Sequence, residues 1–496
     1  MSTIRRQSII SSVLIYIGFA FGALNTYLFI KDGLFTPEQY GLTRAFIVIG
    51  QFFYGFAGFG LTSILYKFYP YYKDNLPDKK NDLLGLVLIV AFAGFLLTTG
   101  GGILFEDIVV KKFIAKSPLI LTYYYWVFPF TFFLLFFSLL EAYAWSIGKT
   151  IFPNFLKEAG FRISTTLLIV LFIVTGKNFE LFIRLFSLLY ALSFIALLIY
   201  LIRIQQFHFT TEISRVTKKF WKKILTMMAY VYGGSLVGIG AQSVDFFAIA
   251  SFRGLRYAAV FDFSSYLANV IQVPQRSLMS ATIPVLSRAW KNKDMVTIDR
   301  IYKRSSLNLL LVSIFIFSII WINYDNAIDV LNANVIYNEG KWVVFFLSIK
   351  NIIDMGTGVN AQIIITSTYW RFDFFSGIIL LILIVPLNII LVKNYGIIGS
   401  AWSTLLSYVV YNIIRIIFLQ RKFNLQPFTL KTAWVIAHGV ICFTIAYYLF
   451  KNLEGWLGMG LRSIFFVLIF TVSAYYLRLS PDIRPVMETI KKKLRF

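Results

Sequence analysis

Five polar residues stand at helical spacing inside one apolar run: Asp262, Ser265, Asn269, Gln272 and Arg276 fall at i, i+3, i+7, i+10 and i+14. On a continuous helix this spacing puts all five on one face. Even one charged residue at the bilayer centre costs about 2.5–3.5 kcal/mol on insertion scales, so such a face is expected to turn toward protein or water. Related stripes recur: Gly18, Gly22 and Asn25; Arg44, Gln51, Gly55, Gly58 and Thr62; Gly234, Gly238, Gln242 and Asp245. Two more are Asn351, Asp354, Gly358 and Gln362, then Ser400, Thr404, Ser407, Tyr411 and Arg415. Where Gly and Ser dominate, close helix packing is the competing explanation.

The chemistry open to these groups is ion recognition. Arg44, Arg276 and Arg415 suit a phosphate or diphosphate held by charge-assisted, often bidentate bonds. Asn25, Gln51, Asn269 and Gln272 add neutral hydrogen-bonding groups to the same substrate-binding set. Asp245 and Asp262 suit uptake of a proton or Na⁺, or restraint of those arginines when no substrate is bound. Asp354 and Lys350 join them as ion-coupling or gating candidates, although at i,i+4 they also suit neutralising one another. Arg415, one turn from a helix end, suits snorkelling as well as lining a cavity. Glu141, close to a helix end, reads as interfacial.

Other chemistries find little support. Cys442 is the single cysteine, and the two histidines, His208 and His438, are far apart in sequence. This disfavours a disulfide framework, a metal centre and Cys/His nucleophilic catalysis. Gly148-Lys149-Thr150 resembles the end of a phosphate-binding loop, but Tyr143 stands where its first glycine belongs. No catalytic residues and no cofactor are expected beyond H⁺ or Na⁺ coupling, and no nucleic-acid partner.

The elements that position these groups are membrane helices. Apolar residues make up 58% of the 496 and charged residues 14%, with a mean hydropathy of +0.74. A soluble globule has about 45–50% and 25%, so a soluble enzyme is excluded. The expected fold class is an all-α polytopic membrane protein of about 14 spans by the length criterion. These run through 9–30, 45–66, 83–105, 118–147, 160–176, 182–202 and 224–252, then 257–287, 305–324, 342–369, 373–392, 394–419, 432–450 and 456–477. Lys and Arg gather in the segments that lie inside when the N-terminus is inside, which predicts both termini in the cytoplasm. The net charge of +24 is thereby read mainly as topology. The chain is divided into a six-helix bundle at 1–202, a basic cytoplasmic linker at 203–223, a second six-helix bundle at 224–420, and two trailing helices with a basic tail at 421–496. The linker and the tail Lys491-Lys492-Lys493-Leu494-Arg495 suit topological retention or contact with anionic headgroups.

Three passages carry a family likeness: Phe35-Thr36-Pro37-Glu38-Gln39-Tyr40-Gly41, the stretch from Ala259 to Arg288 ending in Ile283-Pro284-Val285-Leu286-Ser287, and Tyr395-Gly396-Ile397-Ile398-Gly399-Ser400-Ala401. The chain resembles the polysaccharide-biosynthesis (Wzx-like) flippases of the multidrug/oligosaccharidyl-lipid/polysaccharide exporter superfamily. Ala259 and Phe261 depart from the Gly and Tyr usual there. The resemblance implies two pseudo-symmetric six-helix bundles plus two trailing helices in a bacterial cytoplasmic (inner) membrane. It implies alternating-access movement of an undecaprenyl-diphosphate-linked oligosaccharide, with glycan polymerase and ligase machinery as partners. A cation-coupled drug or metabolite antiporter of the same superfamily, a peptidoglycan-precursor flippase, and a non-transport role stay open as alternatives.

Overall fold

The computed structural model describes residues 2–483, without the side chains of residues 2–13, 15, 16, 276, 277, 280, 281 and 284. The basic tail at 491–495 lies outside the described residues. All regular structure in the described residues is helical. The chain divides into two compact units, Met1–Ala259 and Val260–Phe496.

The first unit opens with α1 (Ser2–Ile30), α2 (Pro37–Ala57), α3 (Leu61–Asn75) and α4 (Leu83–Leu104). The short α5 (Glu106–Phe113) and α6 (Pro118–Thr122) lead into α7 (Val127–Ser146). Then come α8 (Ile151–Phe155), a π-helical turn at Leu156–Gly160, α9 (Phe161–Val174), α10 (Phe179–Ser187), α11 (Leu189–Arg203) and α12 (Arg215–Phe252). Helix starts follow local chemistry. The Thr36 hydroxyl accepts from the Gln39 backbone at 3.2 Å and the Gln39 side chain accepts from the Thr36 backbone at 3.0 Å, closing a capping box with Pro37 in the first turn.

The span read as 45–66 is a bent pair: α2 and α3 meet at 49° across Gly58–Gly60. Gly60 takes φ +69° there, which L side chains avoid. Elsewhere glycine brings backbones together. A Cβ on Gly18 would lie 2.3 Å from the Glu158 carbonyl oxygen, so α1 and the π turn touch main chain to main chain.

The basic stretch 203–223 is only partly a connection. From Arg215 it is helix, capped by the Ser214 hydroxyl accepting from Thr217 N at 3.2 Å, and it continues without a break to Phe252. With no Pro or Gly between 215 and 232, nothing stops propagation from this cap. The buried Asp82 carboxylate fixes the start, accepting from Ser214 N at 2.8 Å and from the Thr217 hydroxyl at 2.7 Å. All of α12 falls in the first unit, packed on α2 and α3.

In the second unit α13 (Leu255–Val270, begun at the end of the first unit) is followed by α14 (Val273–Lys291), α15 (Met295–Val330), α16 (Lys341–Gly356) and α17 (Asn360–Thr366). It closes with α18 (Arg371–Phe423), α19 (Leu430–Leu449) and α20 (Gly455–Tyr476). The expected continuous helix over 257–287 is two helices. Pro274, in the first turn of α14, has no N–H for the Val270 carbonyl and disfavours helix in the residue before it, so α13 stops at Val270. Helices α16 and α17 form a second bent pair, at 47°, broken beside Gly358 at φ +66°.

Helix α18 runs 53 residues, about 80 Å at helical rise and far more than a bilayer core of about 30 Å needs. Gly396, at φ 63° and ψ −140°, breaks it into two helices. These halves are the two spans expected at 373–392 and 394–419. They lie against each other: the Ser400 hydroxyl bonds the Asn388 amide oxygen at 3.2 Å and Ser403 donates to the Ile384 carbonyl at 3.2 Å. Among the described residues eight helices are long and apolar enough to cross a membrane, and the two bent pairs raise this to ten.

Candidate functional site

The candidate residues divide between the two units. In the first, α2 and α12 pack antiparallel: Phe52 meets Phe247 at 5.3 Å and Gly55 abuts Ile239, while Gly41 abuts Leu255 at the start of α13. This register sets the exposed Gln51 level with the half-buried Asp245, while the half-buried Arg44 lies nearer the C-terminal end of α12. Arg44 and Asp245 are therefore on neighbouring helices but offset by about two turns, roughly 10 Å. The glycine stripe of α12 is not a packing stripe throughout, since a Cβ on Gly238 meets nothing within 4 Å. That face, which carries Gln242 and Asp245, opens onto space.

Asn25 is placed differently from its substrate-binding assignment. It is buried on α1, donates to the Arg162 carbonyl at 2.8 Å and accepts from the Thr166 hydroxyl at 2.6 Å. Both ends of its amide hold α9. With Gly18 packed against the π turn, the Gly18–Asn25 stripe is a helix-packing seam.

In the second unit the break between α16 and α17 gathers a buried polar knot. The Asn412 amide donates to Asp354 Oδ1 at 3.1 Å and accepts from the Thr357 hydroxyl at 3.1 Å and from Asn360 Nδ2 at 3.0 Å. Gln272, at the N-cap of α14, makes a long 3.5 Å contact to Asp354 Oδ2. Asp354 thus turns to Asn412 and Gln272. Lys350 donates to Asn351 at 3.0 Å and lies over the Tyr408 ring at 4.0 Å. Asn351 in turn donates to the Ala268 carbonyl at 2.7 Å, tying α16 to α13.

The five-residue stripe is interrupted where the helix is. Asp262, Ser265 and Asn269 remain on α13, half-buried, half-buried and exposed, while Gln272 begins a new helix and Arg276 stands on α14. The side chain of Arg276 lies outside the described residues. A face computed for a straight helix does not carry across a break, so Gln272 joins Asp354 instead.

Arg415 neither snorkels nor lines a cavity. It is 3% exposed, pairs with Asp373, donates to Ser376 through Nε at 3.2 Å and Nη2 at 3.1 Å, and lies over the Tyr411 ring at 4.1 Å. It clamps the two halves of α18 together. Asp373 carried no signal in the sequence, because its partner is reached only through the turn at Gly396. Asn360 and Asn412 were equally silent, each being one amide in a long apolar run. Glu141 was seen but read as interfacial, whereas it is 5% exposed inside the first unit.

A cavity of about 610 Å³ in the second unit is walled by apolar side chains of α14, α15 and α20, with Asn308, Thr471, Ser480 and Asp482 as its polar members. Burial pushes the Asp482 carboxyl up, but hydrogen bonds from Arg304 and Asn308 outweigh it and hold the group below its ordinary value.

No protein-family model and no curated protein matches the chain. Solved structures do. The lipid II flippase MurJ, in an inward closed conformation, superposes with a TM-score of 0.76 over 95% of this chain and 99% of its own, at 14% identity. An inward-facing multidrug resistance MATE family transporter of the MOP superfamily gives 0.62 over 84% of this chain and 99% of its own, at 15% identity. The MATE multidrug transporter DinF-BH, in complex with R6G, gives 0.54 over 85% and 95%, at 16% identity. What is shared at such identities is the fold, two helical bundles of membrane-crossing helices. The chain is a polytopic helical membrane protein with that architecture.

Proposed function

We propose that the chain is a Wzx-like flippase. It moves an undecaprenyl-diphosphate-linked oligosaccharide, the repeat unit of an O-antigen, capsule or exopolysaccharide, across the bacterial cytoplasmic membrane by alternating access. The observation that carries this reading is the likeness in fold to a lipid flippase over 95% of the chain. The two MATE transporters match 84% and 85% of it, a shortfall about the length of α19 and α20 with their flanks. Both termini lie in the cytoplasm on this reading, and glycan polymerase and ligase machinery would receive the product.

In this reading Arg44, Gln51, Asn269, Gln272 and Arg276 meet the substrate, the arginines at its diphosphate. Asp245, Asp262, Asp354 and Lys350 couple transport to H⁺ or Na⁺ or gate it, with Asp354 held in place by Asn412. Asn25 and Arg415 leave the substrate-binding set, since their polar atoms hold helices together.

The test is deletion of the gene followed by leaflet analysis of lipid-linked glycan. Accumulation of undecaprenyl-linked oligosaccharide on the inner leaflet is expected, and a normal distribution would overturn the reading. Arg44→Ala and Arg276→Ala should abolish glycan display at normal protein level. The same likeness favours a peptidoglycan-precursor flippase as the second reading, decided by whether the chain rescues cells depleted of their lipid II flippase.

A further inference from the structure

Glu141 is a buried acid with a partner on only one of its two oxygens. It lies about one and a half turns from the end of α7 with its side chain 6% exposed. Oε2 accepts from Lys157 Nζ at 3.1 Å, and Oε1 is buried with no hydrogen-bond partner. One turn on, Trp145 Nε1 is also buried without a partner. Lys157 lies 5.2 Å over that indole ring and is itself 47% exposed. The titratable groups that interact with the carboxylate are Tyr54 from α2, Tyr66 from α3, Tyr190 from α11, and Glu158 beside Lys157 on the π turn, with Arg162 next to Tyr190. Arg162 is held by Glu158, through its carbonyl at 2.8 Å and its carboxylate at 3.4 Å. The counter-charge bonded to Glu141 is Lys157.

The two partners differ in what they lose by parting. The lysine, on a flexible stem and half exposed at the protein surface, can turn outward, while the carboxylate is enclosed by protein where it sits. Lys157 is therefore a replaceable counter-ion. It also stands on the π turn, a rare element in helical proteins that recurs at functional positions. The Glu158 carbonyl of that turn is the group against which Gly18 packs, and Arg162 lies over Phe19 at 5.3 Å. The position of Lys157 is thereby tied to the position of α1.

We propose that Glu141 is a binding site for a monovalent cation, H⁺ or Na⁺, whose arrival releases Lys157 to water and, through the π turn, loosens the seam with α1. The proton or sodium ion joins the carboxylate, Lys157 keeps its own proton, and the net charge of the pair rises by one with the surplus carried outside. The binding step stands without the flippase reading; only its use in transport rests on that reading.

The experiment uses the full-length protein in liposomes. Infrared difference spectra across pH should show a protonated-carboxyl band, absent in Glu141→Gln, that grows as pH falls. A change in Trp145 emission, identified by its absence in Trp145→Phe, should accompany it. If Na⁺ is the ligand, adding NaCl at fixed pH reproduces the emission change, whereas choline chloride does not. In Lys157→Met the carboxyl band should persist while the linked emission change is lost, which separates the site from a general effect of pH on folding. A carboxyl spectrum in wild type that answers neither pH nor Na⁺ overturns the proposal. For transport, Glu141→Gln should abolish the response of glycan export to an imposed ion gradient. Export that still follows the gradient in this variant overturns the coupling role. If the infrared response is intact but no glycan moves at all, the flippase reading fails and the site stands.

Discussion

Arg415 in the second unit and Glu141 in the first are both buried charges on membrane helices, and they are satisfied to different degrees. Arg415 has a carboxylate, a hydroxyl bonded twice and an aromatic face. Glu141 has one ammonium on one oxygen, and the lysine that carries it is half exposed. A charge bonded through two of its nitrogens and stacked on a ring is architecture, because any change of state breaks something. A charge bonded on one side, with a partner able to leave, can change state at low cost. Burial alone does not distinguish the two; the completeness of the hydrogen bonding does.

Breaking the complete cluster should have the largest effect. Asp373→Ala leaves the Arg415 guanidinium buried without its counter-ion, and loss of one partner of a buried pair costs about 3–5 kcal/mol. The expected outcome is a large drop in apparent Tm in detergent and loss of folded protein from the membrane. A stability equal to wild type would remove Arg415 from the architectural class. Next is Asn412→Leu, which strips the polar knot of its hub, takes the amide donor from Asp354 Oδ1 and leaves Asn360 Nδ2 with Thr357 alone, while the Thr357 hydroxyl keeps the Asp354 carbonyl. At about 1–3 kcal/mol for each unsatisfied group, partly relieved by rearrangement, thermal unfolding should register a clear loss smaller than that of Asp373→Ala.

Glu141→Gln should fall well below both. The isosteric amide oxygen can still accept from Lys157, so a change within about 0.5–1 kcal/mol is expected. A loss as large as that of Asp373→Ala would erase the contrast between the two regions. The smallest effect is a pH dependence at Asp482. Its carboxyl is held below the ordinary range, so its contribution is present above the unfolded value of about 3.9 and fades as pH falls through the lower folded value. Acid unfolding of Asp482→Asn should be flatter in that window, while a curve identical to wild type would dismiss the cluster with Arg304 and Asn308.

Much of the fold was legible because a span is written in consecutive residues. The helices over 83–105 and 432–450 appear close to their expected bounds as α4 and α19. The breaks at Gly58–Gly60, Pro274, Gly358 and Gly396 were also present as residue types, but a hydropathy window averages over them. That averaging made one helix of α13 and α14 and placed Arg276 on a face with Asp262. Less of the candidate site was legible, because its polar groups are chosen by tertiary contact. The partner of Arg415 lies 42 residues away and becomes a neighbour only when the chain folds back at Gly396. Glu141 looked interfacial because distance from a helix end is a measure along the chain, whereas burial depends on α2, α3, α11 and the π turn closing around it.

The length of α12 has a mechanical consequence. Its 38 residues make a rod of about 57 Å, against a hydrocarbon core of about 30 Å. The exposed Arg215, Lys218, Lys219, Lys222 and Lys223 occupy one end of the rod, and the open face with Gly238, Gln242 and Asp245 lies further along it. The helix is continuous between them, with Gly233, Gly234, Gly238 and Gly240 as the places where it twists most easily. If the charged end rests on a layer of anionic headgroups, a roll there would be passed along the rod toward Asp245, and the charged turns would serve as the handle of a crank.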